Sequence, residues 1–480
     1  MARIVVIGAG LGGLASAARL RAAGHDVTVC ERAPSVGGKL AAYARDGFRF
    51  DTGPSLLTMP FVFEDLFAAT GERLGEVLDL QRVDPHCQYR FDDGVVLEVP
   101  AARVALAEAI GNALGGQAAK EWGALQERAA RMWAVARGPF LEAAGPPRLL
   151  ELAARQPAQL PVIAPGRSLR WLAQRMLTGP HLQAMLERYA TYAGSDPRRA
   201  PAALAATAFA EQEYGCWYVA GGLHRLATAL AERIDPVRTS TAVTRIALAA
   251  GRVSGVTLEN GEHLAADAVV ADVDAAHLYG DLLPKRRLLP GGTPSSAGFV
   301  MLLGISDPAP ELAHHTVLFP PLDGPGYAAE FDAVFTDYIS AAPTIYVSAP
   351  RDSATAPDGK RSVFVLVNAP RQGRFDWDAP DVGDIYARHL LEVMAQRGLD
   401  LRGRVAFCET RSPADLARAT GAPGGAIYGT ASHGAAAFRR AANRSPVPGL
   451  FLTGGSAHPG GGLPLVALSA AAVTRLIGPA

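Results

Sequence analysis

A strand, a glycine turn, a helix, a second strand and an acid follow one another at the N-terminus and leave few folds open. Arg3-Ile4-Val5-Val6-Ile7 is a β-branched run suited to a strand buried on both faces. It runs directly into Gly8-Ala9-Gly10-Leu11-Gly12-Gly13, after which Leu14 to Leu20 reads as a helix. A second strand, Asp26-Val27-Thr28-Val29-Cys30, ends at Glu31. This is the βαβ unit that cradles a dinucleotide. Gly8 permits the tight turn, Gly10 lets backbone approach a pyrophosphate, Gly13 lets helix and strand pack closely, and the helix N-terminus faces the anion. Glu31 is placed to accept from ribose hydroxyls. The candidate contacts are Gly8, Ala9, Gly10, Leu11, Gly12, Gly13, Leu14, Glu31 and Arg32.

Composition narrows the class further. Hydrophobic residues make up 49% and charged residues 19%, which excludes a disordered or coiled-coil chain. Lys+Arg and Asp+Glu are both 46, and a chain without a basic surplus does not read as a nucleic-acid binder. Cys30, Cys87, Cys216 and Cys408 are too widely spaced for a zinc site, so no metal is expected and a reducing cytoplasm is the default. The stretch from Ser445 to Thr474 lacks Asp, Glu, Lys and Arg, but its prolines and glycines forbid one apolar helix through a bilayer.

The continuation separates two cofactors. After Glu31 an NAD enzyme would proceed to another helix. This chain instead makes close-approach turns, Gly37-Gly38-Lys39-Leu40 and Asp51-Thr52-Gly53-Pro54-Ser55, that suit the longer FAD. A matching half stands at the C-terminus. Leu450-Phe451-Leu452-Thr453 reads as a strand, Gly454-Gly455-Ser456-Ala457-His458-Pro459-Gly460-Gly461-Gly462-Leu463-Pro464 as a glycine turn, and a helix follows from about Val466. Its backbone amides could hold ribitol or the flavin's pyrimidine edge. Gly38, Lys39, Leu40, Gly53, Pro54, Ser55, Gly454, Gly455, Pro459, Gly460, Gly461, Leu463 and Pro464 join the candidate FAD contacts. No second GxGxxG follows a strand, so no NADPH domain is expected.

These segments, with Tyr192-Ala193-Gly194-Ser195-Asp196-Pro197, Gly215-Cys216-Trp217-Tyr218-Val219-Ala220-Gly221-Gly222-Leu223, Ser412-Pro413-Ala414-Asp415-Leu416 and Ser432-His433-Gly434, carry a likeness along the chain. It resembles the bacterial-type phytoene desaturases, FAD-dependent carotenoid desaturases of the amine-oxidase-like superfamily. The resemblance implies an α/β fold: a Rossmann-like, glutathione-reductase-like FAD domain over 1–75, 216–290 and 405–480, and a discontinuous α+β substrate domain over 76–215 and 291–404. It implies a backbone contact from Val243 to adenine. It implies an oxidoreductase that introduces C=C bonds into an acyclic carotene by hydride transfer to flavin, with quinone or O2 as electron acceptor. A 3,4-desaturase of a hydroxylated acyclic carotenoid is the alternative within the family. Outside it stand an amine-oxidase-like flavin oxidase and a non-catalytic carotenoid carrier. The amine oxidase calls for a lysine near the flavin, and of Lys39, Lys120, Lys285 and Lys360 only Lys39 lies in a flavin-lining segment.

Residues 100–215 read mostly as helices, broken at Gly145-Pro146-Pro147, and residues 298–370 as strands. Phe209, Phe299, Met301, Phe331 and Phe335 are the expected apolar walls for a long hydrocarbon. Catalytic groups are scarce, as suits chemistry supplied by a flavin. His458 is the candidate base; a loop-orienting hydrogen bond is its alternative. Asp272 and Asp274 read as turn acids and His314-His315 as a surface pair. In Arg167 to Leu177 a helix would carry Leu169, Leu172, Met176 and Leu177 on one face and Arg167, Arg170 and Gln174 on the other, with Trp171 as an interfacial residue. That suits a helix lying in lipid headgroups, and a cytoplasmic protein held peripherally at the membrane surface; a helix packed on its own domain is the alternative.

Overall fold

The computed structural model describes residues 1–143, 157–234, 236–284, 292–306, 311–323, 326–438 and 440–480. Gly145-Pro146-Pro147 and Lys285 lie outside them. Arg3–Ile7 forms the centre of a five-stranded parallel sheet, in the order Leu450–Leu452, Ala268–Ala271, Arg3–Ile7, Asp26–Cys30, Val237–Arg238. Three separated chain segments therefore build one sheet. The helix Leu11–Ala22 starts at Gly10 and packs on the C-terminal helix Leu463–Ile477. A Cβ at Gly13 would collide with the Gly8 carbonyl oxygen, so only glycine lets helix and turn approach this closely. Between Val237–Arg238 and Ala268–Ala271, the strands Val243–Ala249, Arg252–Leu258 and His263–Ala265 make an antiparallel excursion. Its second turn is the expected Asn260-Gly261 pair, with the Asn260 side chain accepting from the Glu262 N–H at 2.9 Å.

A seven-stranded mixed sheet forms the second body, in the order Val405–Arg411, Ala297–Ile305, Arg361–Ala369, Ile345–Ser348, His315–Leu318, Cys87–Arg90, Val96–Val99. Val405–Arg411 pairs antiparallel with Ala297–Ile305. The sheet has two apolar faces. One, with Phe299, Met301, Val365 and Val367, packs on Tyr386, Leu390 and Met394 of the helix Val382–Gln396. The other presents Gly298, Val300, Phe364 and Leu366 to an internal cavity. This corrects the expected walls. Phe209, Phe299, Met301, Phe331 and Phe335 do not line the cavity; Phe299 and Met301 sit at the opposite parity of their strand and fill the far core.

Helices Gly116–Ala136, Leu169–Met176, Pro180–Glu187 and Ala206–Tyr214 cover this region. The Ser168 hydroxyl caps Leu169–Met176 by accepting the Trp171 N–H at 3.1 Å. The apolar face of that helix does not meet lipid. Leu169, Leu172, Ala173 and Leu177 are buried in the main core, and Arg170 makes a two-pronged ion pair with the buried Glu187 at 2.9 and 2.6 Å. The amphipathic pattern was the signature of a helix docked on its own domain. No helix among the described residues is long and apolar enough to cross a membrane.

Candidate functional site

The carboxyl ends of the parallel strands open into one cavity of about 1440 Å³ that continues under the seven-stranded sheet. Gly8, Gly10, Leu11 and Gly12 line it at the helix N-terminus, with Glu31, Arg32, Gly38, Lys39 and Leu40 beside them. Gly53, Pro54, Ser55 and Val243 line it too, as do Gly455, His458, Pro459, Gly460, Gly461, Leu463 and Pro464. Ala9, Gly13, Leu14 and Gly454 stand behind this surface. The Ala9 N–H donates to Glu31 Oε2 at 2.7 Å, and Ala33 N–H to Oε1 at 2.8 Å, so two amides fix the carboxylate at the cleft edge. Leu14 is wholly buried in the helix packing.

Side chains in the cleft have defined partners. Arg32 is turned outward and donates to the carbonyls of Arg418 and Ala419 at the end of the helix Pro413–Thr420. Lys39 Nζ donates to the Ile427 carbonyl at 2.6 Å; burial pushes its ammonium below the usual range, against the pull of Asp274 and Asp272. Ser55 Oγ lies 2.6 Å from Tyr346 Oη, which lies 2.8 Å from His315 Nδ1. His315 is therefore interior, not the surface residue its sequence neighbours suggest. Asp274 is a turn acid as read, capping Ala275–His277 through the Ala276 N–H at 2.8 Å. His458 is 3% exposed, and its Nε2 pairs with the Ala143 carbonyl at 3.1 Å. Burial pushes its pKa down to about 4, so the ring is neutral near pH 7. That geometry serves loop orientation and leaves Nδ1 as the one ring atom able to take a proton.

Three residues do more than the sequence reading gave them: Arg440 and Arg188 were not singled out, and Asp272 was read as a turn acid. Arg440, buried, donates to the carbonyls of Tyr428 at 2.7 Å, Gly455 at 3.1 Å and Thr430 at 3.0 Å, which ties the C-terminal glycine turn to the loop at 428–430. Asp272 follows the strand Ala268–Ala271 directly, and the parallel pairing of Ala271 with Ile7 delivers its carboxylate into the glycine turn. Oδ2 accepts the Gly13 N–H at 2.7 Å. A Cβ on Gly10 or Gly12 would lie 2.6 or 2.7 Å from its oxygens, and one on Gly454 would collide with it. Burial, with Glu31 adding to it, lifts this carboxyl to about 6. The signal available was position: a polar residue directly after a strand that neighbours the fingerprint strand reaches the same crevice. The third, Arg188, is taken up below.

The cradle has what a flavin dinucleotide needs: a helix N-terminus for the pyrophosphate, an acid for a ribose, glycine turns at both ends and an apolar continuation. A family model described as "Flavin containing amine oxidoreductase" matches residues 11–477. The chain belongs to that family. Within it, the chain groups with the carotenoid desaturases and oxygenases, which makes it an FAD-dependent oxidoreductase. Hydroxyneurosporene desaturase of Rubrivivax gelatinosus is 35% identical over 97% of this chain and 91% of its own length. The zeta-carotene-forming phytoene desaturase of Myxococcus xanthus is 33% identical over 98% and 93%. Among solved structures, cyclohexylamine oxidase from Brevibacterium oxydans superposes with a TM-score of 0.61 at 15% identity, covering 99% of this chain and 98% of that one, which establishes the shared α/β fold.

Proposed function

We propose that this flavoprotein binds FAD and desaturates an acyclic carotenoid, removing two hydrogens from a CH–CH unit at each step. The observation that carries the reading is the continuity of the glycine cradle with a long cavity walled by Val300, Phe364, Leu366, Trp133 and Ile163. Bound flavin supplies the hydride acceptor. The chain's own residues do the rest. The amides of Leu11–Ala22 and the glycine turn hold the pyrophosphate, with Glu31 on the ribose and the Val243 backbone on adenine. The loop from Gly454 to Pro464, braced by Arg440, holds the flavin end. The apolar walls keep water out and position the reacting carbon. His458 Nδ1 is the candidate to take the proton lost beside the departing hydride.

One dinucleotide motif supports electron transfer to a quinone or O2 rather than exchange with NADPH. Carotenes partition into bilayers, which supports a protein that works at the membrane surface through a face other than the Leu169–Met176 helix. A hydroxylated acyclic carotenoid is the second reading, favoured by the full-length likeness to hydroxyneurosporene desaturase. Expression in cells that accumulate phytoene, neurosporene or hydroxyneurosporene, followed by pigment chromatography and flavin release, tests both. Longer conjugation in one background with FAD in the protein is the expected result. Unchanged pigments in all three, with FAD-loaded protein present, would overturn the desaturase reading.

A further inference from the structure

The cavity is apolar along most of its wall, yet it contains a guanidinium with no counter-ion among the described residues. Arg188 opens the short helix Arg188–Ala193, is 7% exposed and lines the cavity. Its only side-chain hydrogen bond among the described residues runs from Nη1 to Tyr89 Oη at 3.0 Å. The group lies over the rings of Tyr192 and Tyr89, at 5.0 and 5.5 Å from their centroids. No carboxylate among the described residues comes within ion-pair reach of it. Glu211 is the acid on this wall, and its two oxygens already accept from Tyr189 Oη at 2.8 Å and Tyr192 Oη at 3.1 Å. Two stacked aromatic rings stabilise a cation only in part, and a buried charge left without an acceptor is costly.

A hydrocarbon lying along this wall would strip the last water from Arg188 and give nothing back. An oxygen would. The free guanidinium nitrogens present donors in a fixed fork, and Tyr192 and Tyr346 line the same cavity. We propose that Arg188 is the receptor for an acceptor oxygen carried at one end of the polyene, and that this chain selects oxygen-bearing acyclic carotenoids over hydrocarbons of equal length. The inference rests on the carotenoid reading above and deepens it. In this role Arg188 binds the end group and takes no part in the hydride or proton transfer, so it is a specificity residue and not a catalytic one.

The test compares three polyenes of equal length, ending in a hydrocarbon, a hydroxyl or an aldehyde, bound to FAD-loaded protein in detergent and followed by the shift of the polyene absorption. The parent should hold both oxygenated forms about 10- to 100-fold more tightly than the hydrocarbon, the range for a hydrogen bond to a charged group. The tighter of the two identifies the end group. Arg188→Met should erase the preference by weakening the oxygenated forms alone. Arg188→Lys should keep part of it. Equal binding of all three by the parent overturns the proposal without any variant and leaves the carotenoid reading intact. Binding of none overturns both. A loss in Arg188→Met equal for hydrocarbon and oxygenated forms, with unchanged melting and FAD content, overturns the role given to Arg188.

Discussion

Replacing Asp272 by Asn should flatten the pH dependence of stability. The carboxyl sits in the crevice meant for phosphates, beside Glu31, and is lifted from 3.8 to about 6. A raised acid contributes stability below pH 3.8, where it is protonated in both folded and unfolded chains, and loses it as pH climbs through 6. A shift of roughly two units at about 1.4 kcal/mol each amounts to roughly 3 kcal/mol. Asp272→Asn keeps an oxygen to accept the Gly13 N–H and removes the titration. Its NH2 protons lack a partner, but that cost is independent of pH and cancels when the variant is compared with the parent at two pH values. Urea unfolding of the FAD-free proteins at pH 4 and pH 7.5 measures the difference. The variant should gain about 2.4 kcal/mol on the parent between those values, since at pH 4 the unfolded chain has already begun to ionise, and its FAD affinity should vary less with pH. A variant-to-parent difference that stays constant within about 1 kcal/mol would refute the reasoning, because Asp272 would then titrate as an ordinary exposed acid.

Other outcomes follow from the same geometry. Gly10→Val drives a side chain into Asp272 and the pyrophosphate path, so the purified protein should be free of FAD, as read by its visible spectrum. Phe299→Ala empties a site stacked on Trp377 and should cost about 3–5 kcal/mol in unfolding measurements, with KM little changed. Phe364→Ala, on the partner strand but on the cavity face, should shift KM or the product pattern more than it shifts stability. Leu172→Asp buries an unpaired carboxylate at a cost of several kcal/mol and should lower Tm sharply; an unchanged Tm with lost liposome sedimentation would return that helix to the membrane.

The N-terminal unit was legible because every constraint on it is local. Strand, turn, helix and acid are contiguous, and the glycines from Gly8 to Gly13 answer to sterics that any chain of this pattern must meet. The C-terminal turn from Gly454 to Pro464 was legible for the same reason. Strand existence was also readable in Phe299-Val300-Met301-Leu302-Leu303, but its facing was not. A strand buried on both sides shows no alternation of apolar and polar residues, so sequence could not say that Val300 meets the cavity while Phe299 and Met301 meet a helix. The helix at Leu169–Met176 carried a true amphipathic pattern, yet the same stripe fits lipid or protein, and only packing against the core chose between them. Asp272 and Arg188 needed the fold outright. Asp272 reaches the glycine turn because two strands more than 250 residues apart pair in parallel. Arg188 has no counter-ion among the described residues because tertiary packing set Glu211 against two tyrosines instead. Local sterics and periodicity fixed the cofactor cradle; charge placement inside the cavity was decided by which distant segments the core brought together.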